Sequence, residues 1–271
     1  MGEPLKRAEN QYYTIEGWQK TSGLVAGFST KHGGVSRKFD GNFNLAFHVQ
    51  DDVEFVQRNR QILADRLGFP LSGWAGAEQT HEDHVQKVSR LDRGKGAREY
   101  ETSFPHTDGL YTDEKGVLLV LAFADCVPIF YYAPKFGRVG IAHAGWKGTT
   151  LGIAAKMVEK WGNDGIPKED IQIVIGPSIC GTCYIVDERV IRAARRWTVK
   201  ETELPYVETT PGQYALDLKA LNKLILKQTG IADGQIRVTG LCTSCREEDF
   251  FSHRRDRGHT GRMLGFIGIK E

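Results

Sequence analysis

Three apolar runs crowd residues 117–144: VLLVLAFA (117–124), PIFYYA (128–133) and RVGIAHA (138–144). Each is short, apolar and rich in β-branched or aromatic residues, which marks a buried strand. The links between them, around Asp125-Cys126 and through Lys135-Phe136-Gly137, are only a few residues long. A parallel pair needs a crossover of a dozen residues or more. Some of the pairing is therefore antiparallel, and a purely parallel wound sheet does not fit. LVAGFST (24–30), IQIVIG (171–176) and QIRVTGL (235–241) read as further strands. VEFVQRNRQILADRLG (53–68), TLGIAAKMVEKWG (150–162), ERVIRAARRW (188–197) and ALDLKALNKLILKQ (215–228) read as helices. Asp51 or Asp52 is placed to cap the first helix, and Gly162 and Gly230 to end the second and the last. Strands and helices alternate without a Pro/Gly/Ser-rich linker, so one domain over residues 1–271 is expected, with mixed sheets covered by helices.

Charge and cysteine usage narrow the function. With 36 basic and 34 acidic residues the net charge is +2, which gives no case for nucleic acid or an anionic membrane as partner. No apolar run reaches the roughly 20 residues of a membrane span, and the first residues lack the apolar core of a signal peptide. A soluble cytoplasmic protein is the expectation. The five cysteines, Cys126, Cys180, Cys183, Cys242 and Cys245, are an odd count. Such a count argues against a disulfide framework and for reduced thiols with metal or nucleophile chemistry.

Three segments place a metal-capable residue at the edge of an apolar run: His81 and His84 in WAGAEQTHEDHV, Cys126 beside Asp125 in LAFADCVPIF, and His143 in GIAHAGW. Strand ends are where α/β folds build sites. A His, Cys, His set with one position left for water or substrate is a catalytic zinc arrangement. Taken singly, a histidine at a strand edge is usually a hydrogen-bonded structural residue and a cysteine in AFADCVP usually a small core residue, and the spacing decides nothing. Cys180-Gly-Thr-Cys183 and Cys242-Thr-Ser-Cys245 are two CxxC pairs, too far apart for a ribbon or finger. They read either as a four-thiolate site or as thiols on unrelated loops, and are expected to be dispensable for turnover. FFSHRRDRGHTGRM (250–263) carries Arg254, Arg255, Arg257 and Arg262, whose planar forks suit phosphate or carboxylate; a solvated basic loop is the plain alternative. GWKGTT with Lys147 and STKHGGVS with Lys31 are glycine-rich turns that could cradle an anion.

The motifs GFSTKHGGVS, FNLAFHVQDD, AEQTHEDHV, TDGLYT, FADCVPIF, IAHAGWKGT, IGPSICGTCYIV and FFSHRRD…TGRM follow one another in order across residues 24–269. In this set the chain resembles the YfiH/YlmD family, nearest its YlmD branch. That family was long labelled multicopper polyphenol oxidoreductase or laccase, and is now described as purine nucleoside phosphorylase with adenosine deaminase and methylthioadenosine phosphorylase activities. The resemblance implies an α+β fold, a single cysteine-hydrolase-like α/β/β/α sandwich of mixed sheets flanked by helices. It implies a catalytic zinc on His81, Cys126 and His143, with copper the lesser alternative. Its implied substrates are purine nucleosides and phosphate, and it allows a homodimer. Lys31 and Lys147 stand where many members carry Arg, so the charge is kept and the bidentate fork lost.

On this reading Lys31, Lys147, Arg254, Arg255 and Arg262 are candidates for phosphate. Asp125, Glu82 or Asp83 is the candidate carboxylate for moving a proton in deamination. A cysteine hydrolase of peptidoglycan-editing type, with Cys126 as nucleophile and His143 or His81 as base, uses the same residues. A laccase needs many histidines, largely in His-x-His pairs; the chain has eight and no such pair. A binding protein without turnover is the remaining class.

Overall fold

The computed structural model describes residues 2–18, 21–199 and 202–271. Two six-stranded mixed sheets face each other. The first runs Leu5–Arg7, Tyr12–Ile15, Leu24–Ser29, Met263–Ile269, Val117–Phe123, Trp74–Gly76. The second runs Ile236–Val238, Gln172–Ile175, Val127–Ala133, Arg138–Ala144, Gly109–Thr112, Val85–Lys87. A three-stranded sheet of Ile185–Asp187, Gln213–Leu216 and Tyr206–Thr210 lies beside them.

Side-chain alternation sets the layers. In Val117–Phe123, Leu119, Leu121 and Phe123 meet Phe130, Tyr132, Val139 and Ile141 of the second sheet in the central core. Leu118 and Val120 point the other way, onto Leu63, Ala64 and Leu67 of α1 (Val53–Leu67). In the second sheet, Val127, Ile129, Tyr131, Ala142 and Ala144 face the helical layer. That layer is α2 (Trp146–Leu151), α3 (Ile153–Asn163), α4 (Glu188–Thr198) and α5 (Leu218–Gln228). The order is helix, sheet, sheet, helix, as expected. The central strands Val117–Phe123, Val127–Ala133, Arg138–Ala144 and Met263–Ile269 are buried on both faces, which explains why they read as continuous apolar runs.

The three runs at 117–144 divide between the sheets. Val127–Ala133 pairs antiparallel with Arg138–Ala144, as their short link requires. Val117–Phe123 instead pairs antiparallel with the final strand Met263–Ile269 in the other sheet. The chain passes from one sheet to the next at Ala124-Asp125-Cys126, where Asp125 takes φ 83°. The helix expected over 150–162 is two helices, because Gly152 at φ 91° closes α2 and opens α3. The run expected as a helix over 215–228 begins as the end of a strand; Asp217 then caps α5 by accepting from the Ala220 N–H. No helix among the described residues is long and apolar enough to cross a membrane.

Candidate metal centre

His143 shares the strand face of Val139 and Ile141, so it emerges at the end of the layer between the two sheets, and it is 3% exposed. Its ring lies 5.3 Å from that of Phe123 across the layer. Pro128 pairs with His143 in the ladder, so Cys126, just before that strand, reaches the same sheet end. His81 arrives on a turn with φ 62°. One ligand atom from each of His81, Cys126 and His143 converges within 4.8 Å of the others, and the two imidazole rings stand 4.8 Å apart.

Asp108 organises this geometry. It is fully buried at the start of the Gly109–Thr112 strand. Its Oδ2 accepts the N–H groups of Thr80 and Glu82 at 3.1 and 2.9 Å, and its Oδ1 that of His81 at 3.1 Å. This carboxylate holds the left-handed His81 turn, whose backbone strain it offsets. His143 Nδ1 lies 2.8 Å from Asp108 Oδ1. A carboxylate only accepts, so Nδ1 carries the proton and Nε2 is left for the cluster. Burial opposes ionisation of Asp108, but the bonds from His143, Glu82 and Thr80 outweigh it and hold the carboxyl below its ordinary value. Enclosure likewise raises the Cys126 thiol, and the charge and hydrogen bonding of His143 and His81 more than reverse this. His143 moves the opposite way. Burial lowers it, while Cys126 and Asp108 together raise it. Without a cation the proton therefore belongs on the imidazole rather than the sulfur.

A cavity of about 400 Å³ opens over the cluster. Its walls bring together Trp146, Tyr184, Ile179 and Leu218 with the cations Arg254 and Arg262. Asp125 also lines it, but both carboxylate oxygens are engaged: Oδ1 accepts the Thr243 hydroxyl at 2.7 Å and Oδ2 the Arg254 N–H at 2.7 Å. Its position is that of a clamp on the strained crossover. The Arg262 Nη1 donates to the carbonyls of Thr260 and Gly261, and its backbone N–H to Asn44 Oδ1. Arg254 stacks over the Tyr184 ring at 4.8 Å and donates to the Ile185 carbonyl.

Several sequence candidates lie elsewhere. Lys31 is ion-paired with Asp40 at 2.7 Å and lines a separate open depression with His32, Arg37 and Glu248. The GGVS turn beside it is packed: Asn59 of α1 donates to Ser36 Oγ and the Asn42 carbonyl and accepts from Val35. Lys147 is exposed and lies over the Trp146 ring, since the helix starts at Trp146 rather than after Thr149. Neither lysine is among the cavity-lining residues. Arg255 is spent on the carbonyls of Thr243, Ser244 and Phe250 and on Asp256. Asp83 pairs with Lys156, and Glu82 is exposed. Asp108, His48, Gln79, Trp146 and Tyr184 were not singled out from the sequence. All five stand in the motifs TDGLYT, FNLAFHVQDD, AEQTHEDHV, IAHAGWKGT and IGPSICGTCYIV, as members without a role.

The family model described as multi-copper polyphenol oxidoreductase laccase matches residues 25–270. The chain belongs to the YfiH/YlmD family. It is 53% identical over 251 residues to "Purine nucleoside phosphorylase YlmD" of Geobacillus stearothermophilus, covering 92% of each chain. It is 50% identical over 262 residues to the Bacillus subtilis protein of the same name, covering 95% of this chain and 94% of that one. The crystal structure of YlmD from Geobacillus stearothermophilus superposes with a TM-score of 0.96 at 49% identity, over all of both chains. The YfiH/YlmD fold is thus shared along its whole length.

The donor set suits a metal ion on the structure's own terms. Two imidazole nitrogens and a thiolate are borderline-soft donors of the zinc type. Asp108 fixes one imidazole in the binding tautomer. Gly145 leaves the adjacent space open, since a Cβ there would lie 3.0 Å from His81 and 3.1 Å from Cys126 Sγ.

Proposed function

We propose that this chain is a purine nucleoside phosphorylase that works in the cavity over His81, Cys126 and His143, with those three residues holding a zinc ion. A bound zinc would supply a Lewis acid with one open coordination position. The observation that carries the reading is the convergence of the three donors on a cavity that also holds two arginines and two aromatic rings. Trp146, Tyr184, Ile179 and Leu218 offer apolar surface to a purine; Arg262 and Arg254 offer forks to phosphate. In phosphorolysis a phosphate oxygen bonds to C1′ of the ribose as the C1′–N bond breaks. The base leaves with the electron pair and takes a proton. Adenosine, inosine and methylthioadenosine are the substrates, yielding base and ribose or methylthioribose 1-phosphate, with adenosine deamination as a second activity. The enzyme acts on these small molecules in the cytoplasm, as a single domain over residues 1–271.

Product analysis with each nucleoside, with and without phosphate, tests this. Phosphate-dependent release of base is expected. Base release independent of phosphate, or none from any of the three nucleosides, would overturn it. A second reading has one observation in its favour: Asp108, His143 and Cys126 also form an acid–base–nucleophile series. A hydrolase of that kind has no need of His81 at the thiol. Hydrolysis of an amide by protein freed of zinc, abolished by Cys126→Ala, would favour it. Among the described residues only two imidazoles enter the cluster, fewer than a multi-copper oxidase centre needs.

A further inference from the structure

Outside the cavity cluster, four more thiols meet. Cys180 and Cys183 bracket the short turn Gly181–Cys183, and Cys242 and Cys245 bracket a second turn. Far apart in sequence, the turns are joined by a parallel bridge between Ser178 and Cys242 and by the Thr243 N–H on the Ser178 carbonyl. All four Sγ atoms lie within 4.8 Å of one another. Cys183 Sγ is 3.4 Å and Cys180 Sγ 3.9 Å from Cys245 Sγ. A tetrahedron with Zn–S of about 2.3 Å has edges of about 3.8 Å. None of the four is in a disulfide. The N–H groups of Cys180 and Cys245 point at Cys242 Sγ, at 3.2 and 3.4 Å, the outer hydrogen bonding that orients a metal-ligating sulfur.

We propose that Cys180, Cys183, Cys242 and Cys245 bind one zinc ion as a closed tetrathiolate site that staples the 180–183 turn to the 242–245 turn. Each thiol gives up its proton to solvent as the ion binds. Four protein donors leave no position for substrate, so the site is structural. Its place gives it a task. Ile179 and Tyr184, which line the cavity, flank the first CxxC pair, and Thr243, which holds Asp125, lies inside the second. The staple thus fixes one wall of the cavity without touching what binds there.

The full chain with Cys126→Ser separates this site from the cavity cluster, because its only remaining cysteines are these four. Elemental analysis should find one zinc per chain. A mercurial added to that protein should release the zinc in step with modification of four thiols. A strong chelator should lower its melting temperature by roughly 5–10 °C. Adding Cys183→Ser and Cys245→Ser should remove the zinc, while the same pair in the otherwise unchanged chain should leave one zinc, that of the cavity cluster. Cys126→Ser protein that carries no zinc, carries iron instead, or shows a disulfide among these cysteines would overturn the proposal. If the serine pair does not fold, the zinc content and mercurial titration of Cys126→Ser protein decide it alone.

Discussion

Single residues of the site were legible where their chemistry is rare and illegible where it is ordinary. His143 stands out among Ala142, Ala144 and Gly145, and its oddity marked a place where side chains must leave room. Asp108 carries as much of the geometry, yet an aspartate before a glycine reads as a turn residue; only the fold brings it beneath the 80–82 turn. Asp108→Asn would leave the His143 Nδ1 without its charged acceptor and loosen the His81 turn. The expected result is a zinc affinity at the cavity cluster lower by about 10- to 100-fold, read by competition with a chromophoric chelator in the Cys183→Ser, Cys245→Ser background. Unchanged affinity would show that Asp108 does not position the ligands. Arg262 is the cation whose backbone is held from both sides, by Asn44 and by the Leu45 N–H on its carbonyl. Arg262→Ala should raise the apparent KM for phosphate by about 10- to 150-fold, the span of a charge-assisted contact of roughly 1.5–3 kcal/mol. Zinc content should stay constant. An unchanged phosphate dependence would remove Arg262 from the phosphate site.

At the scale of elements, periodicity found the strands and helices but misplaced their ends, and the reasons are local. GWKGTT followed by LGIAAKMVEKWG looked like a turn leading into one helix. Gly145 instead caps α2, and Gly152 breaks the run in a left-handed conformation, with its N–H shared by the Gly148 and Thr149 carbonyls. The second reason for a glycine there is distant in sequence: a Cβ would lie 2.9 Å from the Trp197 ring of α4. That approach packs the end of α2 against α4, and α2 starts one residue after Gly145. Gly152→Ala therefore pays both the left-handed backbone cost and a clash with a ring that is itself held by the Thr150 carbonyl. About 2 kcal/mol of stability should be lost, measured as a lower urea midpoint at unchanged slope. A change below roughly 0.5 kcal/mol would mean that Trp197 moves aside freely. The same reading explains why the CxxC pairs looked unrelated: their turns are ordinary, and the bridge between Ser178 and Cys242 that joins them has no sequence signature.

At the scale of the molecule, the runs at 117–144 declared buried strands and some antiparallel pairing, but not that the chain changes sheets at Asp125. Nothing local says that the last strand inserts between Leu24–Ser29 and Val117–Phe123, because its partners are chosen by closure of the sandwich. The N-terminal strands likewise have a distant anchor. Asp249, 1% exposed in its side chain, accepts from Arg7 at 2.6 Å, the Tyr13 hydroxyl at 2.8 Å and Arg246 at 2.9 Å. Burial opposes its ionisation, yet Tyr13, Arg246 and Arg7 outweigh that and hold the carboxyl below its ordinary value of 3.8. The unfolded chain therefore takes up the proton at a higher pH than the folded one. The stability Asp249 contributes is complete above about pH 4 and is lost as pH falls through the folded value. Asp249→Asn leaves Arg7 and Arg246 facing a neutral amide. Both arginines are partly exposed and stay hydrated, so the change should cost about 1.5 kcal/mol at pH 7, seen as a lower urea midpoint, and the gap to the parent should narrow progressively as pH is lowered below about 4. A gap that stays constant down to pH 3 would assign the loss to packing around Phe250 rather than to the charge.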